Sequence, residues 1–348
     1  MRTVKTLAGG TNQIGIDMGS SQIRIYRKHS GIILSESSVA AVSVSRPGIA
    51  GFGTDALVRY HNEPERYRLE WPVKNGVMAD YHLTKDMLQF FLNKALHQAV
   101  RRPVIMMAIP SGLSSVGRHA LIDAVLHAGA QHVYLIHSAA AAVLGAGLEI
   151  SLPEAVMSLV VGRDLTDCGL FTCGGVVAQS GILFGGHGID EGIRSYLQET
   201  YHMMIGSQEA EEIKREMVSV MKPQEDRTFV VRGRRTHDGV EVVAELSARE
   251  LYPVMQMLLM PVIQLVKKVL RSASPEMAED LLRNGLLLSG GSALLKGISD
   301  WIAHEIGIPV LVAQSPEDTV AAGCGTALSE YRRIPYLIED GEQYYGGM

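Results

Sequence analysis

The chain of 348 residues has little cysteine and few aromatics, and it carries no excess of positive charge. Each shortage excludes something. Three cysteines (Cys168, Cys173 and Cys324) form neither a metal-binding motif nor an even disulfide set, which argues against a disulfide scaffold and fits a cytosolic protein. Aromatics make up 6% against 47% hydrophobic residues in all, so the core is aliphatic, as in α/β proteins whose sheets are covered. The net charge of −5 and a pI near 6.2 argue against nucleic acid as the main partner. No apolar stretch approaches the ~20 residues that a membrane span needs. Met1–Gly10 holds two basic residues but no apolar h-region, so secretion is not expected. The length suits about two domains with ample core for each.

What the chain does have is a pair of glycine turns. The alternating run Ile14-Gly15-Ile16-Asp17-Met18 breaks at Gly19-Ser20-Ser21 and resumes as Ile23-Arg24-Ile25-Tyr26, which reads as two antiparallel strands joined by a tight hairpin. Its glycine lets backbone N–H groups approach a ligand, and its hydroxyls can donate to phosphate oxygens. Asp17 at the mouth would repel bare phosphate but suits one bound to Mg²⁺, which reaches protein carboxylates through water. An ordinary turn is the alternative. A second run, Leu286-Leu287-Leu288-Ser289, breaks into Gly290-Gly291-Ser292, and the two turns together suggest a nucleotide held between two lobes.

Between them strand-like and helical runs alternate. Gly31–Val44 reads as strand, His61–Glu70 as a surface loop or short helix, Leu83–Val100 as helix, Val104–Ile109 as a buried strand and Val133–Ile136 as the next. Ser114 or Ser115 caps a helix running to Ala128. Ala139–Gly147, small throughout, suits a helix packed closely on a sheet. The second half repeats the plan: strands around Leu159–Val161, Gly169–Phe171 and Val176–Ala178, helices at Ile189–Tyr201 and Ser207–Met217, a hairpin of Val230–Gly233 with Val240–Leu246, and the long helix Ala248–Val269. Two similar lobes are expected.

In order and spacing, several blocks resemble the MreB family of bacterial actin homologues, within the actin, sugar kinase and heat-shock chaperone superfamily. They are Ile14–Tyr26, Pro72–Tyr81, Ile109–Gly112, Ala128–Ala130, Ala141–Leu148, Ile205-Gly206 with Ala210–Lys214, Val231–Arg234 and Ser289–Gly297. The resemblance covers Ile14 to about Ala327. It implies an actin-like α/β ATPase fold with two lobes around a nucleotide cleft. Domain I would be 1–146 with 317–348, carrying a small inserted subdomain at about 31–71. Domain II would be 147–316, with an insertion at about 186–244. ATP or ADP with Mg²⁺ is the implied cofactor. Asp17, Gly19, Ser20, Ser21 and Gln22 match one phosphate loop, Gly290, Gly291 and Ser292 the adenosine side, and Glu211 and Lys214 positions that reach ribose and base. A solvated helix face is the alternative for Glu211, Glu212 and Lys214.

Two departures bear on chemistry. Where the family reads Asp-Ile-Gly-Gly-Gly-Thr-Thr, this chain has Val160-Val161-Gly162-Arg163-Asp164-Leu165-Thr166. The acid on the metal side becomes Val160, and two glycines become Arg163 and Asp164. Arg163 is a candidate to neutralise phosphate in place of a metal. Where the family has Glu-Glu-Pro-Met, with an acid that orients the attacking water, this chain has His137-Ser138-Ala139-Ala140. His137 titrates near neutrality and is a candidate base, although a helix-start residue without catalytic task is the plainer reading. Loss of one electrostatic contributor costs ~10²–10³ in rate. The expectation is nucleotide binding with weak or lost hydrolysis.

By resemblance the partners are other copies in protofilaments or active paralogues in co-assembly, the inner face of the cell membrane, and the wall-synthesis machinery. Location is expected to be cytoplasmic and peripheral to that membrane, guiding wall synthesis and cell shape. Met1–Gln13 lacks a sustained apolar face, and Leu96–Arg102 offers two apolar and two basic side chains to an anionic surface, or is a plain turn. A small-molecule kinase on the same fold is the other functional class. It needs a carboxylate base, for which only Asp164 and Asp167 stand near the altered loop. The tail Asp340–Met348 reads as exposed and partly disordered.

Overall fold

In a computed structural model that describes residues 13–45, 48–96 and 102–344, internal contacts divide the chain into two compact units. The first runs up to Ser151 and resumes at Asp318; the second is Leu152–Glu317.

Each unit is built on the same sheet. In the first, Gln13–Met18 pairs antiparallel with Gln22–Arg27, which pairs antiparallel with Gly31–Ser37. On its other side Gln13–Met18 runs parallel to Val104–Ile109, and that strand parallel to His132–His137. In the second unit Val156–Val161, Thr166–Thr172 and Gly175–Ile182 form the antiparallel meander, and Leu286–Ser289 and Val310–Val312 the parallel extension. Alternation makes these strands two-faced: Ile14, Ile16, Ile23, Ile25, Ile105 and Met107 turn to one core, and Met157, Leu159, Val161, Leu170, Leu286 and Leu288 to the other. Smaller sheets accompany each: Ala40–Ser43 between Ile49–Phe52 and Tyr67–Glu70, and Thr228–Arg235 between Met203–Met204 and Glu241–Ser247.

Several expectations need correction. His61–Glu70 is only in part loop and helix: the short helix Thr54–Asn62 ends in it, a turn follows, and Tyr67–Glu70 is a strand. The small-residue helix, Ser138–Gly145, packs chiefly on another helix, Thr319–Glu330. A Cβ built on Gly145 would stand 1.8 Å from the Thr319 carbonyl oxygen, and one on Gly323 1.7 Å from that of Ala141. Behind the first strand, a Cβ on Gly15 would meet the Gly325 nitrogen at 2.4 Å. Asp340–Tyr344 is ordered: Ile338–Asp340 pairs antiparallel with His132–His137, and Gly341 is buried. The end of the tail, the first residues of Met1–Gln13 and most of the Leu96–Arg102 loop lie outside the described residues. Ser114, not Ser115, caps its helix, accepting from the Gly117 N–H at 3.1 Å.

Among the described residues one helix, Ala248–Leu270, is long and apolar enough by length and composition to cross a membrane, although it contains no uninterrupted apolar run of that length. Leu251, Met255, Leu259, Val262, Ile263 and Val266 bury one face of it in the core of the second unit. That stripe accounts for its composition without a bilayer.

The glycine contacts give a direct test. Gly323→Ala forces a methyl into space already filled by backbone and is expected to cost about 3 kcal/mol. Urea unfolding measures it, and a loss below about 1 kcal/mol would show that the two helices separate without penalty.

Candidate nucleotide-binding site

The two turns predicted from glycine share one backbone geometry. The Gly19 N–H donates to the Gln22 carbonyl at 2.9 Å, and the Gly162 N–H to the Leu165 carbonyl at 2.8 Å. Strand register makes them equivalent: Asp17 lies opposite Arg24 in the first hairpin, as Val160 lies opposite Asp167 in the second. Duplication within the chain therefore places Val160 where Asp17 stands, and Arg163 and Asp164 where Ser20 and Ser21 stand.

In the first unit Ser20 is buried, Ser21 exposed and Gln22 half-buried, its Oε1 accepting from Ser35 Oγ at 3.4 Å. Burial pushes the Asp17 carboxyl up to about 6, with the Arg24 guanidinium opposing. Arg24 is itself anchored: its Nε lies 2.9 Å from Asp318 Oδ1, beside the start of the helix Thr319–Glu330. Neither Arg24 nor Asp318 was picked out from sequence; an isolated arginine in a strand carries no signal until register sets it across from an acid.

His137 lies on the other face of the sheet from Asp17. It pairs with Ile109, on the face that carries Ile14, Ile16 and Met107, whereas Asp17 alternates to the opposite face with Gly15. Its Nε2 is 3.7 Å from Glu339 Oε1, and Glu339 also takes Arg118 at 2.8 Å. Burial holds the imidazole below its ordinary value, against the pull of Glu339. Ser138 spends its hydroxyl locally, donating to the Ile109 carbonyl at 3.1 Å.

In the second unit the predicted residues converge on one carbonyl and one helix start. The Gly162 carbonyl accepts from the Gly186 N–H at 2.9 Å and from Ser292 Oγ at 3.3 Å, and the Arg163 carbonyl from the His187 N–H at 2.8 Å. Gly290, at φ 88°, sits so close to the end of the neighbouring strand that a Cβ would meet the Val161 carbonyl at 2.4 Å. Its N–H donates to Pro316 at 2.8 Å, and Gly291 beside it is exposed. Lys214 reaches the same place, its Nζ 3.1 Å from the Gly186 carbonyl. That ammonium is shared with Asp190 Oδ1 at 2.7 Å, a carboxylate that sequence reading missed. Burial raises the Asp190 pKa while Lys214 lowers it and Glu211, exposed on the helix Ser207–Glu216, adds to the rise. Gly162, Ser292 and Lys214 thus meet at Gly186, Arg163 is held beside them by His187, and Gly290 closes on the strand end at Val161.

The paired three-strand meanders with parallel extensions, each bearing a glycine turn at its first hairpin, define an actin-like fold. The MamK double helical filament has this fold at TM-score 0.76 and 16% identity, over 92% of this chain and 99% of that one. The family model for MreB/Mbl protein matches residues 11–335, so the chain belongs to the MreB/Mbl family. It is 35% identical to the cell shape-determining protein MreB of Escherichia coli K12, over 91% of this chain and 93% of that protein. To the cell shape-determining protein Mbl of Bacillus subtilis 168 it is 31% identical, over 92% and 97%. The crystal structure of Spiroplasma citri MreB 5 bound to AMPPNP matches at TM-score 0.83 and 26% identity, over 92% of this chain and 96% of that one.

Asp17 supplies a pH test. Its folded value, near 6, lies above the ordinary 3.8, so its contribution to stability is fully present below pH 3.8 and is lost as pH rises through 6. Asp17→Asn is therefore expected to be more stable than the parent by about 1–3 kcal/mol at pH 7.5 and by much less at pH 5. Urea melts at both pH values measure the difference; an equal gain at both would mean that ionisation of Asp17 is not what costs.

Proposed function

We propose that this chain is a nucleotide-binding, filament-forming cytoskeletal subunit that takes part in setting cell shape, with ATP hydrolysis weak or lost. The observation that carries the nucleotide reading is the cluster around Gly186, where a phosphate-type turn, the Gly290–Ser292 turn and Lys214 meet. Family membership supports it, as does a structural relative that binds AMPPNP. Filament formation is supported by the fold shared with the MamK double helical filament, and the role in shape by the relatives called cell shape-determining. A cytoplasmic position at the inner face of the membrane, guiding wall synthesis, belongs to the same proposal.

The hydrolytic deficit follows from chemistry. Phosphoryl transfer depends on positioned charge. Val160 and Ser138 bring none, and His137 stands on the other face of its sheet. The same pair of losses favours a second role, co-assembly with an active paralogue that supplies turnover. A kinase reading gains nothing here: Asp164 lies 3.8 Å from Arg163, and Asp167 is buried within a strand.

Calorimetry with ATP, phosphate release followed over hours and sedimentation with ATP test the proposal together. Saturable binding, pelleting polymer and release at least about 100-fold slower than in a family member that keeps both acids are expected. Restoring charge in the double variant Val160→Asp, Ser138→Glu is expected to raise release. Steady release by the unaltered chain would overturn the hydrolytic part; absence of binding would overturn the nucleotide part.

A further inference from the structure

The donor sets of the two turns fit Mg²⁺ poorly. Mg²⁺ asks for a near-octahedral shell of oxygens, usually one or two carboxylates with water and phosphate. In the first unit the acid at the turn mouth, Asp17, faces a guanidinium across the hairpin, and Arg24 is fixed there by Asp318 at 2.9 Å. Arg24 stands between two carboxylates, Asp17 and Asp318, so a cation brought to Asp17 competes with a guanidinium already in place. In the second unit the equivalent position is Val160, which offers no donor at all.

What the second turn does fit is an anion that arrives without its cation. The Arg163 side chain is 41% exposed, and the acid nearest its Nε, Asp164, is 3.8 Å away, beyond hydrogen-bond reach. Its backbone is held, since the Gly162 and Arg163 carbonyls both accept from N–H groups at the start of the helix Gly186–Tyr201. A guanidinium rooted in a fixed turn presents a planar fork of donors that matches phosphate oxygens two at a time. Ser292 hydrogen-bonds the same turn, so the basic side chain and the Gly290–Ser292 turn belong to one small region.

We infer that this chain binds its nucleoside di- or triphosphate as the metal-free polyanion, with the Arg163 guanidinium supplying the positive charge that Mg²⁺ would otherwise bring. The inference rests on the nucleotide reading above and changes its cofactor requirement: the ligand is the free nucleotide.

Calorimetric titration of the full chain with ADP and with ATP, once in excess EDTA and once in Mg²⁺, separates the two claims. Affinities within about threefold of one another are expected. Binding at least tenfold tighter in Mg²⁺ would overturn the metal-free inference and leave the nucleotide reading standing. No binding in either buffer would overturn both. Arg163→Ala, measured in EDTA, is expected to weaken binding about ten- to hundredfold, as loss of a charge-assisted phosphate contact does, with the melting temperature unchanged because the side chain is exposed. Arg163→Lys should recover part of the loss. An alanine variant that binds like the parent would overturn the role of the guanidinium.

Discussion

The first unit depends on two helices that touch through backbone. Gly145 and Gly323 let the helices Ser138–Gly145 and Thr319–Glu330 approach until each glycine lies against a carbonyl of the other, and Gly15 lets the second helix settle on the sheet. Close approach of this kind has little tolerance, because the atoms in contact are main chain and have no rotamer with which to retreat. It also sets the electrostatics of the nearby turn. Seating Thr319–Glu330 fixes Asp318 at its start, Asp318 holds Arg24, and Arg24 stands opposite Asp17. A steric constraint between small residues thus determines which charges a ligand at the first turn would meet.

The second unit repeats the sheet and the turn with different chemistry. In both hairpins a glycine N–H closes on the carbonyl three residues ahead. That bond needs no particular side chain at the two positions it spans, so Ser20-Ser21 and Arg163-Asp164 occupy the same backbone. The pair across the strands changes as well, from Asp17 with Arg24 to Val160 with Asp167. Conserving the main-chain turn while exchanging its side chains lets one architecture present hydroxyls in one unit and a guanidinium in the other.

Much of this was legible in the sequence, for physical reasons that also mark where legibility stopped. Hairpins such as Gln13–Met18 with Gln22–Arg27 announce themselves because one face carries large apolar side chains and the other small or polar ones, so apolar residues alternate. The glycine turns stand out because apolar runs end abruptly in small residues. Thr319–Glu330 gave no such signal: it is buried on most sides and built from Ala, Gly, Val and Cys, so it lacks the apolar-polar contrast that betrays a helix. The face on which His137 falls was not legible, because proximity in sequence to a catalytic position does not reveal it. Asp190 was invisible for a different reason. Its partner Lys214 is 24 positions away on another helix, and only packing brings them to 2.7 Å.

The losses at Val160 and Ser138 need not have cost the fold anything. A carboxylate held in a partly dry turn destabilises the unliganded protein, as the raised pKa of Asp17 indicates. Replacing such an acid by valine or serine removes a charge that would have to be desolvated, and the exchange is often neutral or stabilising where the charge has no task. Asp17 remains, and it remains with a counter-ion in Arg24, itself tied to Asp318. An acid that shares its counter-ion with a second carboxylate has its cost only partly offset. Valine and serine at these two positions therefore leave a chain with fewer charges to desolvate when no ligand is bound.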